Sequence, residues 1–207
     1  MQYLRVDFVG DAVVVAFDMC SSSDIIEELT LSGDLQRFKQ FLTSLKEYLA
    51  DAQKTIVFDP YKFTGDGWIL LFPQNTDGEL LFTFLQDLCS FFRKEFRRQV
   101  LRHLATPPSI TGLTFGIERG PLAPMKMYGQ REYVGRALNV ACRLQSSVKD
   151  KGGSPAYKAL VSNSVFNKYF SGVRNVKIFK VRRTLRNIRG GSDFHCRKIE
   201  LLSSDAT

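Results

Sequence analysis

The sequence predicts an α+β fold, an α/β sandwich built on a ferredoxin-like βαββαβ core with C-terminal additions. Three observations predict it. A β-branched apolar run, AVVVAF at Ala12–Phe17, precedes a long stretch with helical spacing. Two more apolar runs flank a Gly-Asp-Gly turn at Gly65–Gly67, a short-range hairpin signal. A second amphipathic stretch and another alternating run then complete the order β-α-β-β-α-β.

The first strand ends at Asp18, and Met19–Asp24 (MCSSSD) reads as a loop with N-cap candidates. From Ile25 to about Asp51 the apolar residues Ile25, Ile26, Leu29, Leu35, Phe38, Phe41, Leu42, Leu45 and Leu49 keep helical spacing. A break is expected at Ser32-Gly33. Thr55–Tyr61 is the next strand and Trp68–Phe72 its hairpin partner. Asp77–Leu104 is a second long helix, with Leu80, Leu81, Phe84, Leu85, Leu88, Phe91, Phe92 and Phe96 as a core-facing stripe. After the Thr106–Ser109 connector, Leu113–Pro121 alternates as a strand and closes at Gly120-Pro121. A turn-rich region follows through Pro124 and Gly129. Val134–Ser147 is a helix ending before a Gly152-Gly153 loop. Ala159–Ser162 is a short strand and Asn163–Phe170 a short helix, with further strands at Val176–Val181 and Phe194–Leu201. The expected organisation is one domain over residues 1–207, with a core at about 12–170 and basic strands at about 171–202.

Composition narrows the function. A 44% hydrophobic and 12% aromatic content supports a sizeable core. No run of about 18 apolar residues occurs, so no membrane span is expected. Met1–Val13 carries two aspartates and no uninterrupted apolar segment, which reads as no signal peptide and a cytoplasmic location. The four cysteines, Cys20, Cys89, Cys142 and Cys196, are scattered without a C-x-x-C pair, as in a protein with reduced thiols. Two histidines, His103 and His195, are too few for a His-rich metal site. The formal charge of +8 implies an anionic partner: nucleotide, nucleic acid or acidic surface. Much of it falls in Arg174–Lys198, which holds one acid, Asp193, and reads as a phosphate-attracting surface or as a solvated face.

Two carboxylates stand out. Asp18 ends the first strand and Asp66 lies in the hairpin turn, so a β-α-β-β sheet brings them to one edge. Alone, Asp66 reads equally as a turn former. Hard divalent cations take oxygen ligands, and Mg²⁺ is commonly held by one or two carboxylates plus substrate phosphates. Asn139 and Arg143 sit four apart on one face of the Val134–Ser147 helix. They read as a buried-side polar pair that needs partners, or as ordinary helix-end residues.

FDMCSSSD, KFTGDGWILLF, GIERGPL and YVGRALNVACRLQ, in this order and spacing, resemble the signature blocks of class III nucleotidyl cyclases over roughly Val13 to Phe170. As a short catalytic domain expected to stand free of receptor and membrane regions, the chain most resembles the Pycsar pyrimidine cyclases of bacterial anti-phage defence. The resemblance implies a head-to-tail homodimer with active sites between the subunits, two Mn²⁺ or Mg²⁺ ions per site, and a nucleoside triphosphate substrate. Asp18 and Asp66 match the metal aspartates, and Met19 the neighbour whose carbonyl meets a metal. Asn139 matches the ribose-orienting asparagine and Arg143 the arginine that stabilises charge on the α-phosphate, both supplied by the other subunit. The implied reaction is attack of the ribose 3′-oxygen on the α-phosphorus, with pyrophosphate leaving and metal activation in place of a side-chain base.

Lys62 and Glu132 match the base-reading positions. Guanylate cyclases usually carry Glu at the first and a small residue at the second, so Lys62 argues against GTP. Lys62 with Glu132 admits an adenine reader with a longer acid, or a simple pair. Tyr61 and Tyr133 would instead narrow the pocket for a pyrimidine, and uracil offers two acceptors and one donor to a cation and an acid. UTP leads, followed by CTP and ATP, and the expected product is cUMP read by a separate effector. The late phosphate-binding position falls in Lys180–Arg189, where Arg182, Arg183 and Arg186 are candidates. Cys142 reads as packing. The rival reading is a non-catalytic nucleic-acid-binding dimer using Arg93–Arg102, Arg174–Lys198 and the interleaved Phe170 and Phe179. It leaves the joint presence of Asp18, Asp66, Asn139 and Arg143 unexplained.

Overall fold

Strand β1 (Gly10–Met19) is an interior strand of the sheet and is buried on both faces. Its odd positions Val13, Val15 and Phe17 join one core, and Ala12, Val14 and Ala16 join another. A continuous apolar run is what a strand covered on both sides requires. The computed structural model describes residues 10–148 and 154–202. Most of the Met1–Val13 segment and the Gly152-Gly153 loop therefore lie outside the described residues.

Helices α1 (Ser22–Leu31) and α2 (Leu35–Ala52) follow, then the hairpin of β2 (Asp59–Phe63) and β3 (Trp68–Pro73). The expected break between the helices falls at Gly33, which is left-handed at φ 77°. The Gly33 N–H donates to Thr30 and the Asp34 N–H to Leu29, the two bonds of a Schellman motif. Strand β2 begins four residues later than Thr55–Tyr61 predicts. Ile56 and Phe58 are buried as core plugs ahead of the ladder, and Gln53 donates to the Phe58 carbonyl at 2.7 Å.

Helix α3 (Gly78–Gln99) is capped by Asp77, whose carboxylate accepts from the Leu80 N–H at 2.9 Å. Its stripe is core as expected, with two differences. Leu80 faces solvent, and Phe91 stacks on Tyr48 at 4.4 Å, half-buried. Strand β4 (Leu113–Met127) does not close at Pro121 but runs on to Met127 and pairs with β5 (Gln130–Val134). Tyr128 and Gly129 both take positive φ, 48° and 76°, as a two-residue type I′ turn requires. Beyond Leu122 strand β4 pairs, among the described residues, with β5, and Pro124 stands opposite Tyr133 in that ladder.

Helix α4 (Arg136–Ser146), β6 (Lys158–Ser162), α5 (Asn163–Val165, continued by a π turn to Phe170), β7 (Ile178–Arg183) and β8 (Phe194–Glu200) complete the chain. The sheet order is β2-β3-β1-β4-β6-β8-β7, with β5 off this path on β4. The first four strands are the ferredoxin-like core, and β6, β8 and β7 extend the sheet beyond β4. Helices α1–α3 pack the larger, aromatic core on one face. Helix α4 covers part of the other, where β1 presents small side chains. No helix among the described residues is long and apolar enough to cross a membrane.

Candidate active site

The β1–β3 register pairs Phe17 with Trp68, so the end of β1 lies against the loop before β3. That loop is the four residues Thr64–Gly67, closed by the Thr64 N–H donating to the Gly67 carbonyl at 3.0 Å. Both glycines have a structural reason. Gly65 is at φ 110°, and a Cβ on Gly67 would collide with the Phe17 carbonyl and lie 2.9 Å from Asp18 Oδ1. The hairpin can therefore press its backbone against Asp18, and the Asp18 and Asp66 carboxylates meet, as expected.

The pair lines a cavity of about 210 Å³ together with Phe17, Thr64, Trp68, Cys142, Gln145 and Ser146 among others. Burial pushes the Asp18 carboxyl up to about 7, and the Asp66 carboxylate beside it acts in the same direction. The Met19 N–H and the Gln145 side chain donate to Asp18 and oppose the rise. Ser22, in the first turn of α1, donates its hydroxyl to Asp66 Oδ2. Ser21 ahead of it is left-handed at φ 56°, a conformation that costs a non-glycine residue and that recurs at functional loops.

Two carboxylates driven together in a cavity are the donor set a hard divalent cation neutralises. Among the described residues no group of three or more His, Cys, Asp or Glu side chains could hold a metal by itself. The set thus fits an ion completed by backbone oxygens, water and substrate phosphates. Met19 keeps its side chain in the core and faces Asp18 with its backbone.

Asn139 and Arg143 do share one face of α4, but that face is exposed, which corrects the buried-side reading. The helix buries Ala137, Leu138, Val140, Ala141 and Leu144 instead. Neither Asn139 nor Arg143 lines the Asp18–Asp66 cavity. Cys142 does line it, half-buried, with its thiol pushed up by burial.

The base-reading candidates gather in a second cavity of about 220 Å³, lined by Tyr61, Lys62, Gln130, Glu132 and Tyr133 among others. Lys62 Nζ lies 3.2 Å from both Glu132 oxygens. The Tyr61 hydroxyl donates to Glu132 and accepts from the Tyr133 N–H at 3.1 Å. The Tyr61 bond and then Lys62 hold the Glu132 carboxyl below its ordinary range. Of the alternatives the sequence leaves open, Lys62 and Glu132 pair, and the two tyrosines meet edge to face with centroids 5.4 Å apart.

The late arginines are not at either cavity. Arg183 donates from Nε to the Ser147 carbonyl at 2.9 Å, beyond the end of α4. Arg182 pairs with Asp193 at 3.6 Å, and Arg186 is exposed. The aromatics of the nucleic-acid reading separate: Phe170 is fully buried, while Phe179 is exposed beneath Lys198 Nζ at 4.9 Å from its centroid. Phe170 is thus unavailable for base stacking. Ser21, Ser22 and Gln145 are the site residues that sequence reasoning missed. The small-residue run Ser21–Ser23 hinted at the first two.

No protein-family model matches the chain, and no curated protein matches it. Solved structures do. The adenylyl cyclase CyaB from P. aeruginosa is 15% identical with a TM-score of 0.67, the alignment covering 95% of this chain and 96% of that one. The guanylate cyclase domain of RhGC from Catenaria anguillulae, solved with GTP, is 13% identical with a TM-score of 0.65, covering 94% and 98%. Adenylate cyclases from Trypanosoma brucei, solved in their monomeric state, give 12% identity and a TM-score of 0.65 over 98% and 93%. The fold is therefore that of class III nucleotidyl cyclase domains.

Proposed function

We propose that this chain is a nucleotidyl cyclase that converts a nucleoside triphosphate to its 3′,5′-cyclic nucleotide and pyrophosphate, with UTP, giving cUMP, as the leading substrate. The observation that carries the reading is the meeting of Asp18 and Asp66 in one cavity beside β1. Two Mg²⁺ or Mn²⁺ ions, when bound there, supply activation of the 3′-oxygen and neutralisation of the triphosphate. The chain's own residues do the positioning. Asp18 and Asp66 offer carboxylate oxygens, Met19 its backbone, and Ser22 fixes one oxygen of Asp66. Arg143 stabilises charge on the α-phosphate and Asn139 orients the ribose.

Asn139 and Arg143 are exposed rather than lining their own chain's cavity, which supports the reading that a second copy brings them to the metal pair. The exposed β4–β5 arm, with Met125, Met127 and Tyr128 at its tip, suits the contact between copies. One basic candidate among Arg182, Arg183 and Arg186 remains for the triphosphate. Arg186 is exposed, Arg182 pairs with Asp193 and Arg183 bonds the Ser147 carbonyl.

Lys62, Glu132, Tyr61 and Tyr133 form the base pocket. The cation and carboxylate present a donor and an acceptor side by side, and the two tyrosines line the same cavity and limit its width. That favours a pyrimidine ring over a purine, with CTP and ATP as the alternatives. The product is then a messenger read by a separate effector, as in anti-phage signalling of the Pycsar kind. The test is purified protein with Mn²⁺ or Mg²⁺ and ATP, GTP, CTP or UTP in turn, products read by mass spectrometry. Cyclic UMP from wild type and none from Asp66→Ala is the expected result. No cyclic product from any of the four sinks the reading.

A further inference from the structure

Gln145 stands two residues after Arg143 on α4, roughly 200° further round the helix axis. Asn139 and Arg143 face solvent, whereas Gln145 reaches the cavity that holds Asp18 and Asp66. Its Nε2 donates to Thr114 Oγ1 at 2.8 Å, and its side chain lines the cavity beside the Asp18 carboxylate, whose raised pKa it opposes. A primary amide has two N–H donors, so the bond to Thr114 leaves one for the carboxylate. Thr114 is the cross-strand neighbour of Asp18 on β4, buried, with its hydroxyl 3.4 Å from the Asp18 carbonyl oxygen. The amide is thus anchored to the strand beside Asp18, through a residue that itself touches the Asp18 backbone.

Backbone contact puts it there. A Cβ on Gly116 would collide with the Ala141 carbonyl and the Gln145 N–H, so α4 rests directly on β4 at that point. Gln145 begins at the contact and needs only its own length to reach Asp18. A neutral donor suits the task. It fixes one carboxylate oxygen yet leaves the negative charge for a cation, where a lysine or arginine would compete for it.

We propose that Gln145 is a positioning residue for Asp18, orienting that carboxylate toward the metal and tying helix α4 to it. The inference rests on the reading of Asp18 and Asp66 as metal ligands. It makes α4 serve two sites at once: its inner face holds its own chain's Asp18, and its outer face carries Asn139 and Arg143 for the other copy.

Terbium(III), a hard oxygen-seeking cation, tests this without turnover. The chain has one tryptophan, Trp68, and it lines the same cavity, so terbium bound there is sensitised by indole excitation. Asp18→Asn and Asp66→Asn are expected to abolish the sensitised emission, and Mn²⁺ to displace it from wild type. Undiminished emission from both aspartate variants overturns the metal reading itself. Gln145→Met keeps the side-chain length and removes both donors; its terbium half-saturation is expected to rise roughly ten- to a hundredfold. In turnover the Mn²⁺ concentration for half-activation rises in step, while kcat at saturating Mn²⁺ and KM for the triphosphate stay near wild type. Thr114→Val, which removes only the anchor, is expected to shift the same two readouts less, and covers the case in which Gln145→Met does not fold. Wild-type terbium affinity in both of these variants, with emission lost in Asp18→Asn, overturns the role assigned to Gln145.

Discussion

Asp18 holds its proton far above the ordinary carboxyl value of 3.8 because burial and the Asp66 charge act in the same direction. The sign of its linkage follows. The folded protein binds this proton more tightly than the unfolded chain, so the stabilisation is full below 3.8 and lost as pH rises through about 7. In metal-free protein the Tm should therefore fall between about pH 4 and pH 7 and level off above, and Asp18→Asn should flatten that slope. A flat wild-type profile would contradict the paired geometry. Added Mn²⁺ should raise Tm more at the higher pH, where no proton competes for Asp18. Arg143 is a different case, exposed and distant from its own chain's cavity. If it stabilises transition-state charge, Arg143→Ala lowers kcat by at least about 10³-fold with KM nearly unchanged. A drop confined to KM would make it a binding residue only.

At the scale of elements, two close backbone contacts build the site. Gly67 brings the hairpin onto Asp18, and Gly116 brings α4 onto β4. Gly116→Ala should cost about 1–3 kcal/mol by overpacking and, by displacing α4, weaken metal activation more than an equally destabilising core substitution elsewhere. Thermal melts and Mn²⁺ titrations separate the two effects, and a loss of Tm alone would deny the link between helix and metal pair. These contacts mark where the sequence could be read and where it could not. The meeting of Asp18 and Asp66 was legible, because strand order and a strand-end position are local patterns. So was the break at Gly33, since glycine at a helix end has a local cause. The β4–β5 hairpin was not, because Pro121 and Pro124 look like breakers, yet Pro121 pairs with Asp11 and Pro124 with Tyr133 in the ladders. Nor were Ser22 and Gln145: their partners lie 44 residues away at Asp66 and on a neighbouring strand. The reading of Asn139 and Arg143 as buried-side failed for the same reason. Periodicity finds a helical face, but which face the sheet covers depends on where Gly116 lets the helix rest.

At the scale of the molecule, one chain on the proposed reading carries both halves of a site without joining them. The Asp18–Asp66 cavity opens beside β1, while Asn139 and Arg143 look outward from α4, next to an apolar arm at Met125, Met127 and Tyr128. A two-fold pair of chains would make two composite sites, each using the metal carboxylates of one copy and the polar face of the other. Chains lacking Asp66 and chains lacking Arg143 would each be inactive as homodimers, yet a mixed dimer would retain one intact site. The most direct measurement is therefore cyclic nucleotide formation by Asp66→Ala and Arg143→Ala proteins, assayed singly and after mixing under conditions that allow exchange. Silence from each alone and up to about a quarter of wild-type activity from an equal mixture is the predicted result. A mixture as silent as its components, alongside an active wild type and demonstrated exchange, would contradict the shared site, and a silent wild type would contradict the cyclase itself.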